Sequence, residues 1–298
     1  MDKIGSKRIA IIGSDSFIAT RLYDALDKEQ VCLFAIKSSG KENEIVKDLF
    51  SITADEILGV DAIINFAAIV HRPDFNNESE YKRVNVDLPL YLAKISKQAG
   101  VSQFIQMSSV AVYGDVEHYS VDSPFSPVGF YGQTKLTADI GLQKQVTDKF
   151  LVSIIRPPMV YGGGMSPGNL QRLARVAIKG MPMPFGGINN KRDFVLVYNL
   201  IEAIKIIIEE KIGGVFIPTD IKSVSTENII DLISKHSTSK VRKITIPSLV
   251  LKAIKKIKPT IYQKLYGNAL AECNMPNNYQ PKYNMEHGII DLITVNRK

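Results

Sequence analysis

Long apolar runs are missing from this chain of 298 residues, and cysteine is scarce. Its apolar runs fall well short of the ~20 residues that a membrane-spanning helix needs. The first residues, 1–8, are largely polar and lack the apolar region and cleavage site of a signal peptide. Cys32 and Cys273 lie far apart, which fits neither a metal site nor a disulfide framework. We therefore expect a cytoplasmic protein with two unpaired thiols and no metal.

Acidic residues are absent from one stretch, residues 235–264, which carries nine Lys or Arg in a chain of net charge +7. No nucleic-acid-binding motif accompanies this basic segment, so we expect no nucleic-acid partner. We favour a helix that packs on its own domain. The alternative is weak contact with a membrane surface. Apolar residues recur at helical spacing, opposite lysines, at Leu249, Val250, Ala253, Ile254 and Ile257.

Short apolar runs alternate with helical patterns along the first half of the chain. The alternation is typical of βαβ units and predicts an α/β fold, a doubly wound parallel (Rossmann) sheet with a smaller C-terminal substrate-binding lobe. We assign the Rossmann domain to 1–160 and the lobe to 161–298, with residues 190–215 returning to the first domain. Strands are predicted at 8–12, 31–36, 61–67, 103–107 and 151–155, and helices at 17–26, 80–98 and 131–145.

The turn after the first strand is where a Rossmann fold receives a dinucleotide pyrophosphate, because N–H groups and the helix dipole favour anions there. Gly13 opens the turn, but Ser16 and Ala19 stand where a glycine-rich turn would repeat its glycines. The motif alone therefore fits an ordinary strand–helix turn as well as a cofactor site. The candidate cofactor contacts here are Gly13, Ser16, Phe17 and Ile18.

No acidic residue directly follows the second strand, where NAD-preferring Rossmann enzymes bind the ribose 2′-hydroxyl. Lys37 and two serines stand there instead, which favours NADP(H) over NAD(H). The alternative is that Lys37 is a solvated turn residue. Further candidate cofactor contacts are Asp48 and Leu49 after the third strand, and Phe66, Ala67 and Ala68 at the end of the fourth.

The strongest chemical signal is a serine after the fifth strand followed by Tyr-x-x-x-Lys. Tyr131 and Lys135 are four residues apart, so they share one face of the predicted helix. A lysine ammonium close to a phenol favours the phenolate and lowers the phenol pKa. The Ser109 hydroxyl, at the carboxyl end of a parallel strand, can bind the same substrate oxygen. The pattern predicts an acid–base centre of these three residues.

With its other landmarks, the sequence resembles the extended short-chain dehydrogenase/reductase family of sugar-nucleotide epimerases, dehydratases and 4-ketoreductases. The resemblance runs from Ile9 to about Ile233. It implies an enzyme that uses NAD or NADP on a UDP-sugar and forms a homodimer through helices 80–98 and 131–145. The landmark segments, besides the Ser109, Tyr131 and Lys135 set, are 65–68, 85–86, 156–162, 192–195, 213–216 and 224–226.

The resemblance also implies roles for single residues. Tyr131 is the general acid and base, Lys135 tunes it and holds the nicotinamide ribose, and Ser109 polarises the carbonyl. Arg192 clamps the substrate diphosphate through its planar donor fork; the alternative is a surface ion pair. The remaining implied contacts are Pro158 and Val160 to the nicotinamide, Asn169 to the substrate phosphates, Pro184 and Phe185 to the uracil, and Val110 to the substrate.

The two residues after Ser109 narrow the choice of reaction. Val110 and Ala111 occupy the positions where related 4,6-dehydratases carry Asp and Glu, so dehydration is not expected. Segments 156–162, 180–186 and 190–192 are similar to bacterial 4-ketoreductases of surface-polysaccharide biosynthesis. We therefore predict reduction of the C4 ketone of a UDP-4-keto-6-deoxy-N-acetylhexosamine. Two alternatives remain: a UDP-hexose or UDP-N-acetylhexosamine 4-epimerase, and a non-catalytic dinucleotide- or nucleotide-sugar-binding protein.

Overall fold

The computed structural model describes residues 7–70, 77–164, 168–238 and 241–296. Residues 165–167 of the Pro- and Gly-rich loop and residues 239–240 of the basic segment lie outside these ranges. No helix among the described residues is long and apolar enough to cross a membrane.

The strands, in chain order, are β1 (Ile9–Ile12), β2 (Val31–Ala35), β3 (Glu44–Val46), β4 (Ala62–Asn65), β5 (Gln103–Met107), β6 (His118–Tyr119), β7 (Leu151–Ile155), β8 (Met159–Tyr161), β9 (Met183–Gly186), β10 (Phe194–Leu196), β11 (Gly214–Phe216), β12 (Lys243–Thr245) and β13 (Leu270–Ala271). The α-helices are α1 (Phe17–Asp24), α2 (Glu78–Lys82), α3 (Leu88–Gln98), α4 (Gly129–Gln143), α5 (Asn169–Ile178), α6 (Val197–Glu210), α7 (Thr226–His236), α8 (Ser248–Ile257), α9 (Pro259–Tyr266) and α10 (Met285–Asn296). Turns of 3₁₀ helix lie at Lys28–Gln30, Leu49–Ser51, Asp55–Ile57 and Val110–Tyr113.

One parallel sheet of seven strands has the order β11-β7-β5-β4-β1-β2-β3. The chain therefore runs outward from β1 in one direction through β2 and β3, and in the other through β4, β5 and β7. This is the doubly wound arrangement, so the predicted fold class is confirmed. The reversal lies between β1 and β4, and open sheets bind ligands beside the carboxyl ends of strands at such a point.

The inner strands form because most of their residues are apolar without alternation, as a strand covered on both faces requires. The buried polar exceptions in β4 and β5 are Asn65, Gln103 and Gln106. Every residue of β1, β4 and β5 is buried. β5 and β7 have the bounds that the sequence predicted. β2 ends one residue earlier than predicted, at Ala35, because Ile36 is already exposed.

The helix predicted at 80–98 is divided by a π-helical turn, Arg83–Asp87, between α2 and α3. This turn directs the buried Asn85 amide at two neighbouring segments. Asn85 Oδ1 accepts from the Ile69 N–H at 2.8 Å, and Asn85 Nδ2 donates to the Ile69 carbonyl at 3.0 Å and to Thr134 Oγ1 at 3.1 Å. A π turn is often found at functional sites. Here it attaches the loop after β4 to α4.

The chain divides into two compact units. The first is Met1–Gly114, Pro124–Arg156 and Ile201–Phe216, and it contains the seven-stranded sheet with α1 to α4. The second is Asp115–Ser123, Pro157–Leu200 and Ile217–Lys298, and it contains the strand pairs β8–β10, β9–β12 and β6–β13. That the first unit binds the cofactor and the second the sugar nucleotide stays a prediction.

The helix expected in the basic segment is present as α8. We favoured a helix that packs on its own domain, and α8 does so only in part. Leu251 packs against the core of the second unit, yet no residue of α8 is buried. Leu249 and Ile257 are 77% and 74% exposed. The apolar arc of the helix is wider than its contact with the domain, so much of that arc faces solvent.

Candidate active site

Ser109 and Tyr131 are brought together at the carboxyl edge of the sheet. Ser109 follows β5, and its Oγ accepts from the Ala111 N–H at 3.2 Å, which starts the 3₁₀ turn Val110–Tyr113. The Ser109 side chain lies near that of Tyr131 on α4, and its interaction with the phenol opposes the rise in the Tyr131 pKa. Gly132 allows this approach, since a Cβ there would lie 2.7 Å from the Ala111 carbonyl oxygen.

Lys135 lies one turn further along α4 and is buried. Its Nζ donates to the Met107 carbonyl at 2.9 Å, at the end of β5. Burial lowers the pKa of Lys135 to about 8, and the carboxylate of Asp139 opposes that change. The ammonium is therefore still largely present at neutral pH.

The phenol of Tyr131 differs from the sequence expectation. Burial raises its pKa, the interaction with Ser109 opposes this, and the negative charge of Asp139 adds to the rise. We expected Lys135 to lower this pKa, but burial of the phenol is the largest influence and raises it. Tyr131 accordingly rests in its protonated form.

Asp139, which the sequence analysis missed, follows Lys135 by one further turn of α4. Its Oδ2 accepts from Arg156 Nε at 2.9 Å and from Ser108 Oγ at 2.9 Å. The guanidinium also donates from Nη1 to the Tyr113 hydroxyl at 2.8 Å. Burial raises the pKa of Asp139 while Arg156 opposes the rise. The signal in the sequence was the spacing i, i+4, i+8 of Tyr131, Lys135 and Asp139, which share one helix face.

The turn after β1 fits the pyrophosphate of a dinucleotide. Gly13 has a φ of +76°, and a Cβ on it would lie 2.8 Å from the Ala67 backbone nitrogen, so the turn and the segment after β4 run in close contact. Ser16 is the N-cap of α1 and accepts from the Ala19 N–H at 3.3 Å. Its side chain therefore caps the helix. The first N–H groups of α1, on Phe17 and Ile18, have no acceptor within the helix and suit an anion.

A carboxylate reaches this turn from β3. Glu44 Oε1 accepts from Ser14 Oγ at 2.8 Å and from Ser39 Oγ at 2.6 Å, and Oε2 accepts from the Ser39 N–H at 2.7 Å. Burial alone would raise the pKa of Glu44, but these hydrogen bonds and one from Ser38 hold it at about 2. Lys41 Nζ donates to the Ser14 carbonyl at 2.8 Å. Lys37 is exposed.

The other predicted cofactor contacts of the first unit differ in exposure. Asp48 is exposed and caps the 3₁₀ turn Leu49–Ser51, accepting from the Phe50 N–H at 3.1 Å. Leu49 is buried in the core of the first unit. Phe66 is buried after β4, while Ala67 and Ala68 are half-buried. Val110, beside Ser109, is half-buried as well.

The predicted substrate and cofactor contacts of the second unit also differ in exposure. Asn169, the first residue of α5, is exposed, as is Pro184 in β9. Phe185 is buried, with its ring 5.5 Å from that of Tyr266. The last two are Pro158, which is buried, and Val160, which is half-buried in β8.

Arg192 is engaged at the end of α9. Its Nη1 donates to the carbonyl oxygens of Gln263, Lys264 and Gly267 at 3.3, 3.1 and 3.2 Å. A cation at a helix C-terminus complements the helix dipole. The surface ion pair that we considered as its alternative role is not found among the residues the structure covers.

Taken with the sheet, the Ser–Tyr–Lys arrangement defines an enzyme of the extended short-chain dehydrogenase/reductase class. The model of the NAD dependent epimerase/dehydratase family matches residues 9–216, and the chain belongs to this family. The predicted class and enzymatic nature are thus confirmed.

Named relatives share most of this chain. A UDP-glucose 4-epimerase of Vibrio cholerae is 29% identical over 290 residues, covering 89% of this chain and 87% of the relative. An N-acetyl-alpha-D-glucosaminyl-diphospho-ditrans,octacis-undecaprenol 4-epimerase of Escherichia coli O157:H7 is 27% identical, covering 80% and 75%. The structure of a UDP-glucuronic acid 4-epimerase from Bacillus cereus in complex with NAD has a TM-score of 0.78 and 20% identity, covering 97% and 96%. The last likeness concerns the fold alone.

The Asp139→Asn variant tests whether the buried Asp139 carboxylate keeps Lys135 protonated. Without the carboxylate, the pKa of Lys135 falls below its present value of about 8, so the ammonium is lost at lower pH. We expect turnover of a UDP-sugar at pH 8 to fall about tenfold or more. The alkaline limb of the pH–rate profile should move to lower pH.

The matched control is Tyr113→Phe, which disturbs the same arginine without changing a charge. It should lower the thermal unfolding temperature and leave the pH profile in place. An Asp139→Asn profile that coincides with the wild-type profile would remove Asp139 from the acid–base centre.

Proposed function

We propose that this chain is an NAD-dependent UDP-sugar 4-epimerase. The observation that carries the proposal is the placement of Tyr131, Lys135 and Asp139 on one face of α4, with the Lys135 Nζ bonded to the Met107 carbonyl at the end of β5, two residues before Ser109. Two 4-epimerases are among its relatives, and the alignment with the first covers 87% of that enzyme. Val110 and Ala111 offer no acid–base pair for eliminating water.

Ser109, Tyr131 and Lys135 suit a reversible hydride transfer at C4 of the sugar. When bound, the nicotinamide dinucleotide supplies the acceptor and donor of the hydride. Before this step Tyr131 must lose its proton, and the Lys135 ammonium stabilises the resulting phenolate. The phenolate takes the proton from the C4 hydroxyl as the C4 hydrogen leaves as hydride, and the phenol so formed returns that proton after the sugar has presented its other face. Ser109 holds the same oxygen.

A 4-ketoreductase, our prediction from the sequence, is the second candidate. One observation favours it: burial keeps Tyr131 protonated, which is the form that donates a proton to the oxygen of a reduced ketone. The two candidates differ in how the cofactor is held. An epimerase regenerates its cofactor in each cycle and retains it on purification, whereas a reductase must exchange it.

The substrate class has two members worth testing. UDP-hexoses and UDP-N-acetylhexosamines follow from the resemblance and from the Vibrio cholerae relative. A sugar diphosphate on a polyprenyl lipid follows from the name of the second relative. The alignment with the Vibrio cholerae relative covers more of both proteins, so UDP-sugars are the substrates we propose and the lipid-linked sugar is the alternative.

We propose NAD(H) as the cofactor, in place of the NADP(H) favoured by Lys37. Glu44 accepts hydrogen bonds from the turn after β1 and from Ser39 after β2, the two segments between which Rossmann proteins hold the adenosine ribose. A carboxylate there suits a 2′-hydroxyl and repels a 2′-phosphate. Glu44 thus supplies from β3 the acid that is missing after β2.

The Tyr131→Phe variant tests the epimerase proposal. We expect purified wild-type protein to carry NAD and to interconvert C4 epimers of a UDP-sugar. The variant should retain the NAD but lose about 100-fold or more in turnover, because it lacks the acid–base group. Tyr91→Phe is the control, since its hydroxyl only donates to the Ile52 carbonyl. Turnover of Tyr131→Phe near that of the control would refute the assignment.

The Glu44→Gln variant tests the cofactor proposal. Removing the charge should improve the affinity for NADPH relative to NADH by about tenfold or more, measured by calorimetry on cofactor-free protein. Glu42→Gln, an exposed neighbour with the same change of charge, should leave the ratio unchanged. A wild-type preference for NADPH would contradict the proposal directly.

A further inference from the structure

Helices α8 and α9 carry apolar side chains that their own unit leaves uncovered. Leu251 on α8 and Tyr262 on α9 pack against the core of the second unit. On the outer side, Leu249, Ala253 and Ile257 follow one another at intervals of four residues and form one line along α8. The exposed apolar side chains of this surface are Leu249, Val250, Ile257, Ile261 and Leu265. We call these five residues the outer apolar stripe.

Lysines border the outer apolar stripe. Lys252 and Lys256 lie one residue before Ala253 and Ile257, so they form the adjacent line along α8. Lys255, Lys258 and Lys264 add to them across α8 and α9. Elsewhere in the basic segment, Lys235 pairs with Glu286, and Lys243 pairs with Glu227 and Asp231. None of the five lysines on α8 and α9 and in their junction has a carboxylate partner among the described residues.

This combination limits what can cover the stripe. A second copy of the chain, related by a two-fold axis, would bring the same basic surface against itself. Like charges would then face each other across an apolar contact, which disfavours self-association. An anionic lipid surface suits both the outer apolar stripe and the lysines beside it. The boundary of the acyl chains can bury the apolar side chains, and the headgroup phosphates can pair with the lysines.

We propose that α8 and α9 dock this chain on an anionic membrane surface. The helices lie in the plane of the interface, with Leu249 and Ile257 inserted at the level of the headgroups. Lys252 and Lys256 contact lipid phosphates. This inference is independent of the reaction proposed above, because it depends on the second unit's surface alone.

Flotation of the full chain with lipid vesicles tests the proposal. We expect binding to vesicles that contain phosphatidylglycerol and little binding to pure phosphatidylcholine vesicles. Leu249→Ser and Ile257→Ser should each lower the affinity about tenfold. Leu58→Ser is the matched control, because Leu58 is 58% exposed in the first unit, and it should bind as wild type.

Replacing lysines by glutamate at two different places distinguishes the local effect of the lysines on α8 from the effect of the protein's net charge. The double variant Lys252→Glu and Lys256→Glu should lose binding by more than about twentyfold, since each lysine near an anionic surface contributes about fivefold. Lys28→Glu with Lys149→Glu changes the net charge equally and should bind nearly as wild type. Thermal unfolding of all variants checks that they fold.

Three outcomes would overturn the proposal. The first is absence of wild-type flotation with phosphatidylglycerol vesicles. The second is equal binding by the wild type, Leu249→Ser and Ile257→Ser, which would mean that charge alone holds the protein. The third is a wild-type dimer that Ile257→Ser converts to a monomer in sedimentation, which would mean that a second copy covers the stripe.

Discussion

The buried pair of Asp139 and Arg156 joins three parts of the sheet edge. Asp139 belongs to α4, Arg156 follows β7, and the same carboxylate oxygen accepts from Ser108 after β5. Losing one partner of a buried ion pair costs about 3 to 5 kcal/mol, because the other charge is left without compensation. The rotation of α4 is therefore held strongly. Since Tyr131 lies two turns before Asp139, this rotation directs the phenol at Ser109.

The same pair also sets the charges along α4. Asp139 Oδ1 is buried without a hydrogen-bond partner among the described residues, so its charge acts on the groups nearby. It opposes the loss of the Lys135 proton and opposes the ionisation of Tyr131. Lys135 remains a cation in a buried place, and Tyr131 remains an acid until a base is needed. One carboxylate thus favours the protonated Tyr131 with which reduction of a ketone begins, whereas oxidation of the C4 hydroxyl begins from the phenolate, which the Lys135 ammonium stabilises.

The sheet and the acid–base centre were predictable, because local patterns encode them. Strands buried on both faces are mostly apolar runs, and β5 and β7 could be delimited although glutamine and serine residues interrupt them. Tyr131 and Lys135 share a face through helix geometry alone. Asp139 followed the same spacing, but an aspartate late in a helix is usually solvated. Only the contact with Arg156, far along the chain, makes it a buried residue.

Other features depend on tertiary contacts that no local pattern reports. Glu44 reaches Ser14 because the loop before β3 folds back over the turn after β1, whereas the sequence directed attention to Lys37. The packing of α8 was assigned from its apolar arc, but the width of the arc does not tell how much of it finds a partner. The phosphate role of Arg192 was implied by the family resemblance and stays a prediction, and the contacts of Arg192 with the end of α9 arise from residues about seventy positions away.

The proposed role of Ser109, Tyr131 and Lys135 is to support hydride transfer at C4. The decisive experiment converts a UDP-hexose with deuterium at C4, using the purified protein in ordinary water. We expect the epimeric product to keep its deuterium at C4, because the hydrogen leaves and returns without meeting solvent. Product with ordinary hydrogen at C4 would show exchange with solvent protons and would rule out hydride transfer.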